Sequence, residues 1–342
     1  MSRPRSQRAT VRDLAAETGV SIATVSRVLN NQAHVAPHTR DLVQRAVERL
    51  GAQPPGSRTA SARKARDAVY LRCPYLLTDY FGLIVSSIAE TLELHGIPLL
   101  LNAGEAAQQA AVLPALASRP GIRGAIIVLP PEPSEQLVAL RARGFPFVVV
   151  DPRAPMPRDI AAVSAAHFAG ARNITRHLVG LGHRRVGVIA GPRNWLASDA
   201  RLAGHTSALA DAGVLPDPEL VRGGEPTAQF GYHTAGQLLD LPQRPTALIG
   251  FNDKVAVGAL AAAARRGLRV PEELSVAGFD DIDLAQATRP LLTTARQPLP
   301  EMGRLAVSLL IRLMEHQRLD ALHIELATEL VIRDSTGPVA SG

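Results

Sequence analysis

Small and hydrogen-bonding side chains follow one another in a short segment near the start of the chain. They are Ala23, Thr24, Ser26, Arg27 and Asn30. Slender residues at the leading end of a helix, with hydrogen-bond donors beyond them, are what recognition of base edges in the major groove of DNA requires. The chemistry that this segment offers is therefore nucleic-acid recognition.

Two short helices must position these side chains. Thr10 is expected to cap the first helix, which Gly19 ends because glycine reaches the left-handed conformation without steric cost. Ser21 is expected to cap the second helix. Apolar residues at spacings of three and four predict that the second helix packs on the first; they are Ile22, Val25, Val28 and Leu29. The segment predicts a helix-turn-helix, the alternative being an ordinary helical hairpin with solvated polar faces.

Basic charge is concentrated in the same part of the chain. Residues 1–66 hold twelve Lys or Arg and four Asp or Glu, whereas residues 67–342 hold 25 and 27. The net charge of +6 is thus produced by the N-terminal piece. We expect it to lie against phosphates and to make binding salt-dependent.

Three regions follow from the composition. A third helix is predicted over about residues 37–50, closing a headpiece over residues 1–50, and Pro, Gly, Ser and Ala make residues 51–66 a linker. Beyond it, seven apolar runs alternate with helical patterns and predict parallel strands covered on both faces. The runs are AVYLRC, IPLLLNA, GAIIVLP, FPFVVVD, RVGVIAG, TALIGFND and LSVAGFDD. They suit an α/β core of two doubly wound lobes, with one late strand in ELATELVIRDS.

Several features exclude other classes. A single cysteine, Cys73, excludes an internal disulfide, and the N-terminus MSRPRSQRAT lacks the apolar region of a secretory signal. No window approaches the roughly 18 consecutive apolar residues of a membrane span. We therefore expect a cytoplasmic protein with no membrane partner. His34 and His38 lack further metal-type ligands nearby, so no metal and no cofactor is expected.

An enzyme built on the same lobes is the first alternative, but its motifs are missing. The chain holds no G-x-S-x-G elbow, no phosphate loop, no H-E-x-x-H, and no G-x-G-x-x-G that opens a helix after a strand. A solute-binding protein for transport is the second alternative. The predicted headpiece and the missing signal argue against it.

The chain resembles the LacI/GalR family of bacterial transcriptional regulators over almost its whole length. Five segments carry the resemblance in the family's order: TVRDLAAETGVSIATVSRVLNN, LGHRRVGVIAGP, RPTALIGFNDKVAVGAL, GLRVPEELSVAGFDD and RPLLTTARQP. The resemblance implies an operator-binding headpiece, a hinge, and a periplasmic-binding-protein-like core over residues 67–342 whose lobes close on a small effector. We place the first lobe at about 67–163 and 296–322, and the second at about 164–295 and 323–335.

The resemblance also assigns roles in the headpiece. Ile22 and Ala23 match the variable base-reading positions, and Arg27 is expected to bond a guanine, the alternative being a phosphate contact. Donors expected to position the duplex backbone are Ser21, Thr24, Ser26, Asn30 and Thr39.

The hinge departs from the family pattern LGYxPNxxARxL. The aligned residues run from Leu50 to Ser61, and they lack the tyrosine, the helix-capping asparagine and the leucine that wedges into the minor groove. Pro54, Pro55 and Gly56 disfavour a helix start, and Ser61 cannot unstack a base step. We therefore expect weaker operator kinking than in relatives with an intact hinge.

For the effector site, Arg201 matches the family's arginine that forks onto sugar hydroxyls, and Asn252 and Asp280 match polar groups of the second lobe. The alternatives are a surface ion pair for Arg201, and helix caps for Asn252 or Asp280 and for the neighbouring Asp253 and Asp281. Further candidates lie in the loop after the first strand, at the end of VVVD and near Arg201: they are Tyr75, Tyr80, Phe81, Asp151 and Trp195. Tyr80 and Phe81 could instead belong to the core.

These expectations together describe a homodimeric repressor that binds double-stranded operator DNA. Its operator affinity is expected to be controlled by a small effector, a sugar or sugar derivative, through the relative arrangement of the lobes.

Overall fold

The computed structural model describes residues 11–29, 35–49, 67–104, 107–108 and 111–339. The chain divides into two compact units, Met1–Arg66 and Asp67–Gly342.

Three helices form the N-terminal unit: α1 (Val11–Thr18), α2 (Ile22–Leu29) and α3 (Pro37–Arg49). Gly19 ends α1 with a φ of 68°, and its N–H donates to the carbonyl of Ala15 at 3.0 Å. Ser21 caps α2, because its Oγ accepts from the N–H of Thr24 at 3.2 Å. The helices pack around a small apolar core of Leu14, Val25, Val28, Val43 and Ala46.

One expectation for α2 was wrong. Ile22 does not belong to the core of the three helices but is 52% exposed, and it is the first residue of α2. Val25 and Val28, one and two turns further along, are buried as expected. The predicted cap Thr10, together with Asn30, Leu50 and the linker 51–66, lies outside the described residues.

The first lobe is built on a six-stranded sheet in the order β11-β5-β4-β3-β1-β2, with all neighbours parallel. Its strands are β1 (Ala68–Cys73), β2 (Leu99–Ala103), β3 (Ile122–Val128), β4 (Phe147–Val150), β5 (Ala161–Ala165) and β11 (His323–Leu326). One face packs on α4 (Asp79–Leu94) and α11 (Leu299–Met314), and the other on α5 (Leu113–Leu116) and α6 (Ser134–Ala142).

The second lobe is built on a six-stranded sheet in the order β12-β10-β9-β8-β6-β7. Its strands are β6 (Val186–Ala190), β7 (Val221–Gly223), β8 (Ala247–Gly250), β9 (Ser275–Asp280), β10 (Thr293–Arg296) and β12 (Glu329–Val331). β12 pairs antiparallel with β10, and the other neighbours are parallel. Helices α9 (Ala228–Leu239) and α10 (Asp253–Arg265) cover one face, and α7 (His167–Gly180) and α8 (Leu196–Asp211) the other.

The fold class is confirmed, and all seven apolar runs are strands. The segment ELATELVIRDS holds the end of one strand and the whole of another, however, rather than a single late strand. β11 pairs with β5 in the first sheet, so residues 323–326 belong to the first lobe and not to the second, where the sequence placed them. β5 likewise extends the first sheet to Ala165. Both are edge or near-edge strands of the sheet, and the alternating half-exposed residues of β11 give no continuous apolar run. Among the described helices, none has the length and apolar composition needed to cross a lipid bilayer.

Candidate functional site

A cleft of about 640 Å³ lies between the two lobes. Its walls come from the carboxyl ends of the parallel strands and from the helices that follow them, which is where open α/β sheets bind ligands. We define the cleft by the lining residues Thr78, Tyr80, Phe81, Asp151, Trp195, Arg201, Asn252, Lys254 and Asp280.

Arg201, on α8, is the buried cation of the cleft. It is 5% exposed, which rules out the surface ion pair. Its guanidinium carbon lies 3.7 Å from the ring centre of Phe279 and 4.4 Å from that of Phe251, so two aromatic faces hold the group. Nη1 donates to the carbonyl of Phe251 at 2.5 Å, whereas the buried Nε has no partner among the described residues. A donor is therefore left over at the cleft wall.

Asp280 faces this guanidinium from the end of β9. Its backbone φ of 117° is unusual for a residue other than glycine, a kind of local strain that concentrates at functional sites. Gln297 donates to its Oδ1 at 2.6 Å, and Arg201 Nη2 lies 3.8 Å from the same atom. Burial raises the pKa of Asp280 to about 6, because loss of water outweighs the attraction of the more distant Arg201.

Asp151 is the polar group of the first lobe, and it directly follows β4. Its Oδ2 accepts from Tyr80 Oη at 2.7 Å, and its Oδ1 lies 2.7 Å from His167 Nε2. Burial by itself raises the pKa of Asp151. The His167 ring, the Tyr80 hydroxyl and Arg201 outweigh that effect, and the net pKa lies below the usual range.

The aromatic candidates divide into lining and supporting residues. Tyr80 and Phe81 pack against the core of the first lobe and also line the cleft. The structure does not place Tyr75, a predicted effector-site residue, in the lining of the cleft. Within the described part of the chain it supports Phe81 instead of lining the cleft: the two rings stack at 4.4 Å, and Tyr75 Oη donates to the carbonyl of Leu129 at 2.8 Å.

Trp195 stands immediately before α8 and packs against the cores of both lobes. Its ring meets Phe251 edge-on at 6.1 Å, and the guanidinium of Arg153 lies 5.2 Å from the ring centre. The indole Nε1 is buried, with no acceptor among the described residues. It is a second donor without a partner at the cleft.

Asn252 is both a helix cap and a lining residue. Its Oδ1 accepts from the N–H of Val255 at 2.9 Å and so caps α10, the alternative that the sequence had left open. The side chain also borders the cleft, which leaves its amide N–H₂ as a possible donor to a ligand.

The two neighbouring carboxylates have structural contacts instead of capping helices. Asp253 is fully buried and accepts from Thr294 Oγ1 at 2.6 Å and from the N–H of Ile282 at 3.0 Å. Burial, with repulsion from Asp280 next, raises its pKa well above the usual range. Asp281 pairs with Arg296 at 2.7 Å and with Arg333 at 2.6 Å. These contacts fix the loop that carries Asp280.

Six contributors named above escaped the sequence analysis; they are Thr78, His167, Phe251, Lys254, Phe279 and Gln297. Lys254 Nζ lies 3.0 Å from Asp79 Oδ2 and so connects the lobes at the rim of the cleft. Gln297 follows β10 and His167 follows β5, so a search for polar residues just after each strand could have found both. Among the described residues, no group of three or more His, Cys, Asp or Glu is placed to hold a metal ion.

Only part of the α2 surface that the sequence singled out lies within the described residues. Ser21, Ile22 and Arg27 are exposed, and Thr24 and Thr39 are half-buried. Thr39 Oγ1 lies 3.3 Å from His38 Nδ1. The side chains of Ala23 and Ser26, and all of Asn30, lie outside the described residues. The surface is open to a partner, and its contacts with DNA stay a prediction.

Two sequence profiles match the chain. The profile of bacterial regulatory proteins of the lacI family matches residues 10–54, and that of a periplasmic binding protein-like domain matches residues 175–336. The HTH-type transcriptional repressor CytR of Escherichia coli (strain K12) is 34% identical over 330 residues, which cover 96% of each chain.

Solved structures resemble the whole chain as well. The complex of the transcriptional regulator CelR with cellobiose aligns with a TM-score of 0.72 at 29% identity, covering 96% of this chain and all of the other. The lac repressor dimer bound to operator and the anti-inducer ONPF aligns with a TM-score of 0.71 at 29% identity, covering 97% of this chain and all of the other.

Proposed function

The chain belongs to the lacI family of bacterial regulatory proteins, and from that membership we propose that it is a homodimeric repressor whose affinity for operator DNA is set by a sugar-like effector bound in the cleft. The observation that carries this proposal is the pairing of an exposed helix-turn-helix with a cleft between two lobes that holds buried polar side chains. The transcriptional regulator CelR, which has a similar fold, was solved in complex with cellobiose. The lac repressor, which also has a similar fold, was solved as a dimer bound to its operator.

The chemistry of the cleft favours a hydroxylated ring. Arg201 and Trp195 each offer a buried donor without a partner, while Asp151 and Asp280 supply acceptor oxygens. We propose that these groups and the Asn252 amide bind hydroxyls. The aromatic faces of Tyr80, Phe81 and Trp195 would then cover the apolar C–H surface of the ring, and Tyr75 would support Phe81 from behind.

On DNA, we propose that Arg27 reads a base beside Ile22 and Ala23. The hydroxyls of Ser21, Thr24, Ser26 and Thr39 and the Asn30 amide would position the duplex through its phosphates. The two ligands are coupled by linkage: an effector that prefers one arrangement of the lobes shifts the population toward it, and the dimer transmits that shift to the two headpieces.

We also propose that the protein acts by binding and not by catalysis, and that it works in the cytoplasm, where its operator is. The relatives support the first point, since they are transcriptional regulators. A protein that binds a small ligand but shifts no DNA would instead favour a solute-binding function.

The test begins with a thermal-shift screen of mono- and disaccharides, sugar phosphates and nucleosides. Genomic DNA fragments selected by the protein supply the operator. Operator affinity is then measured by fluorescence anisotropy with and without the compound that stabilises the protein. We expect that compound to change operator affinity by about fivefold or more, the range of typical allosteric coupling.

Arg201→Ala and Arg172→Ala make a matched pair for this assay. Arg172, on α7, is half-buried, does not line the cleft, and pairs with Asp211 at 2.7 Å. We expect Arg201→Ala to abolish the effector response while basal operator binding persists, and Arg172→Ala to behave as wild type. Unchanged effector affinity of Arg201→Ala in calorimetry would remove Arg201 from the effector site.

A further inference from the structure

A chain of hydrogen bonds crosses from one lobe to the other through His167. Tyr80 donates to Asp151, and Asp151 Oδ1 lies 2.7 Å from His167 Nε2. The other ring nitrogen, His167 Nδ1, lies 3.3 Å from Arg201 Nη2. Tyr80 and Asp151 belong to the first lobe, whereas His167 and Arg201 stand on α7 and α8 of the second.

The chain has one consistent direction. A guanidinium can only donate, so His167 Nδ1 is the acceptor in its contact with Arg201. A carboxylate can only accept, so His167 Nε2 is the donor to Asp151. The imidazole therefore stands between a buried carboxylate and a buried guanidinium and has a hydrogen-bond partner on each side.

Packing holds the imidazole in this orientation. His167 is 6% exposed and is the first residue of α7, just after the crossover from β5. Its ring lies 6.0 Å from that of Phe279, whose face also covers Arg201. The ring is thus fixed on the side of α7 and β9, and its two nitrogens point at partners in different lobes.

We infer that His167 is a positioning residue that orients Arg201 and Asp151 and holds the two lobes together across the cleft. Without its two hydrogen bonds, a buried carboxylate and a buried guanidinium each lose a partner, which is costly in a site shielded from water. Water relieves that cost when the lobes separate. That the orientation of Arg201 and Asp151 serves effector binding rests on the proposed function. That His167 holds the two lobes together does not rest on it.

Trp195 provides a reporter of lobe separation. It is the only tryptophan of the chain. Arg153 of the first lobe covers its ring, and the N–H of Leu196 donates to the carbonyl of Arg153 at 2.7 Å. Separation of the lobes uncovers the indole, so acrylamide quenching of its fluorescence follows the opening of the cleft.

The experiment compares acrylamide quenching in four full-length proteins at neutral pH: wild type, His167→Phe, His167→Gln and His205→Phe. We expect His167→Phe to raise the quenching constant by about twofold or more, because local opening exposes the indole. His167→Gln is expected to stay near wild type, since its amide can donate to Asp151 and accept from Arg201.

His205→Phe is the matched control. His205 is also a buried histidine, 4% exposed, but it bonds to Thr175 within the second lobe. We expect it to lose stability without a change in quenching. If far-UV circular dichroism shows that His167→Phe is unfolded, His167→Asn takes its place, because the shorter side chain cannot reach both partners.

Wild-type quenching in His167→Phe or His167→Asn would overturn the inference, as would a His167→Gln protein that is as open as the Phe variant. The assay uses neither DNA nor effector. A failure of the proposed function would therefore leave its result unchanged, and the two failures are distinguishable.

Discussion

The buried carboxylate of Asp280 lowers the stability of the folded protein. This carboxylate is 6% exposed, and burial raises its pKa to about 6. In the unfolded chain an aspartate titrates near about 3.9. The folded protein therefore binds an extra proton between these values, and the charge of Asp280 opposes folding increasingly as pH rises from about 4 to about 6.

Asp280→Asn is accordingly expected to raise the free energy of unfolding by about 1 to 3 kcal/mol at pH values well above 6, the amount that a shift of one to two pKa units represents. The gain is expected to shrink toward pH 4, where wild-type Asp280 is itself neutral. Urea unfolding followed by Trp195 fluorescence at both ends of this range measures the difference.

Asp211→Asn, on the exposed surface, serves as the control and is expected to show no such pH-dependent gain. If Asp280→Asn were less stable than wild type by the same amount at both pH values, the Asp280 carboxylate would stabilise the fold and its burial would not oppose folding.

In the headpiece, the proposed role of Arg27 in base recognition can be tested directly. Its side chain is exposed on α2. We expect Arg27→Ala to lose about 1 to 3 kcal/mol of specific operator affinity in a mobility-shift titration, with little loss on random DNA. An equal loss of affinity for operator and for random DNA would indicate instead that Arg27 contacts a phosphate. The slope of log affinity against log salt concentration would then be shallower by about one ion.

At the scale of the element, β2 is the open edge of the first sheet. It pairs only with β1 among the described strands, and it exposes 38% of Leu100 and 42% of Leu101. Leu83 on the neighbouring α4 is 45% exposed. An edge strand that carries apolar side chains associates with another chain unless something covers it. We therefore place the dimer contact at this edge.

Leu101→Glu is expected to shift the protein toward monomer at micromolar concentration, because it buries a charge in the contact. Light scattering after size exclusion measures the mass. Leu215→Glu is the control, since Leu215 is 87% exposed on the second lobe. A Leu101→Glu protein that remains a stable dimer would place the contact elsewhere.

The elements also show what the sequence could and could not predict. Strands buried on both faces, such as β1 and β8, are continuous apolar runs and were found. β7, β11 and β12 are short edge strands with half-exposed residues, and their pairing depends on where the crossovers return the chain. No local sequence pattern predicts such a pairing.

The same distinction holds within the site. Asp151 follows a buried strand and Asp280 is the last residue of another, so their position at the cleft could be predicted. Phe279 lies inside a strand as an ordinary core residue, and only the tertiary fold brings its ring onto Arg201. His167 likewise meets its partners Asp151 and Arg201 only because the fold brings the two lobes together.

At the scale of the whole molecule, a basic headpiece and a nearly neutral core are joined by residues 51–66, which lie outside the described residues. Relatives with the hinge pattern LGYxPNxxARxL place a helix and a leucine at this junction. The leucine helps to offset the cost of unstacking, about a few kcal/mol per base step, by allowing a bent duplex to meet more protein surface. Ser61 has no apolar bulk for this, so we expect the operator to bend less on this protein than on those relatives.

Restoring the pattern with Pro55→Asn and Ser61→Leu is expected to increase the bend, most clearly on an operator with a flexible pyrimidine-purine step at its centre. Circular-permutation gel shifts measure the angle. Pro55→Asn with Ser57→Leu is the control, because it adds the same cap and the same apolar bulk at a position that does not match the wedge. A strongly kinked complex with the unmodified protein would show that a different residue supplies the wedge, and the alignment of residues 51–61 with the family's hinge would then be wrong.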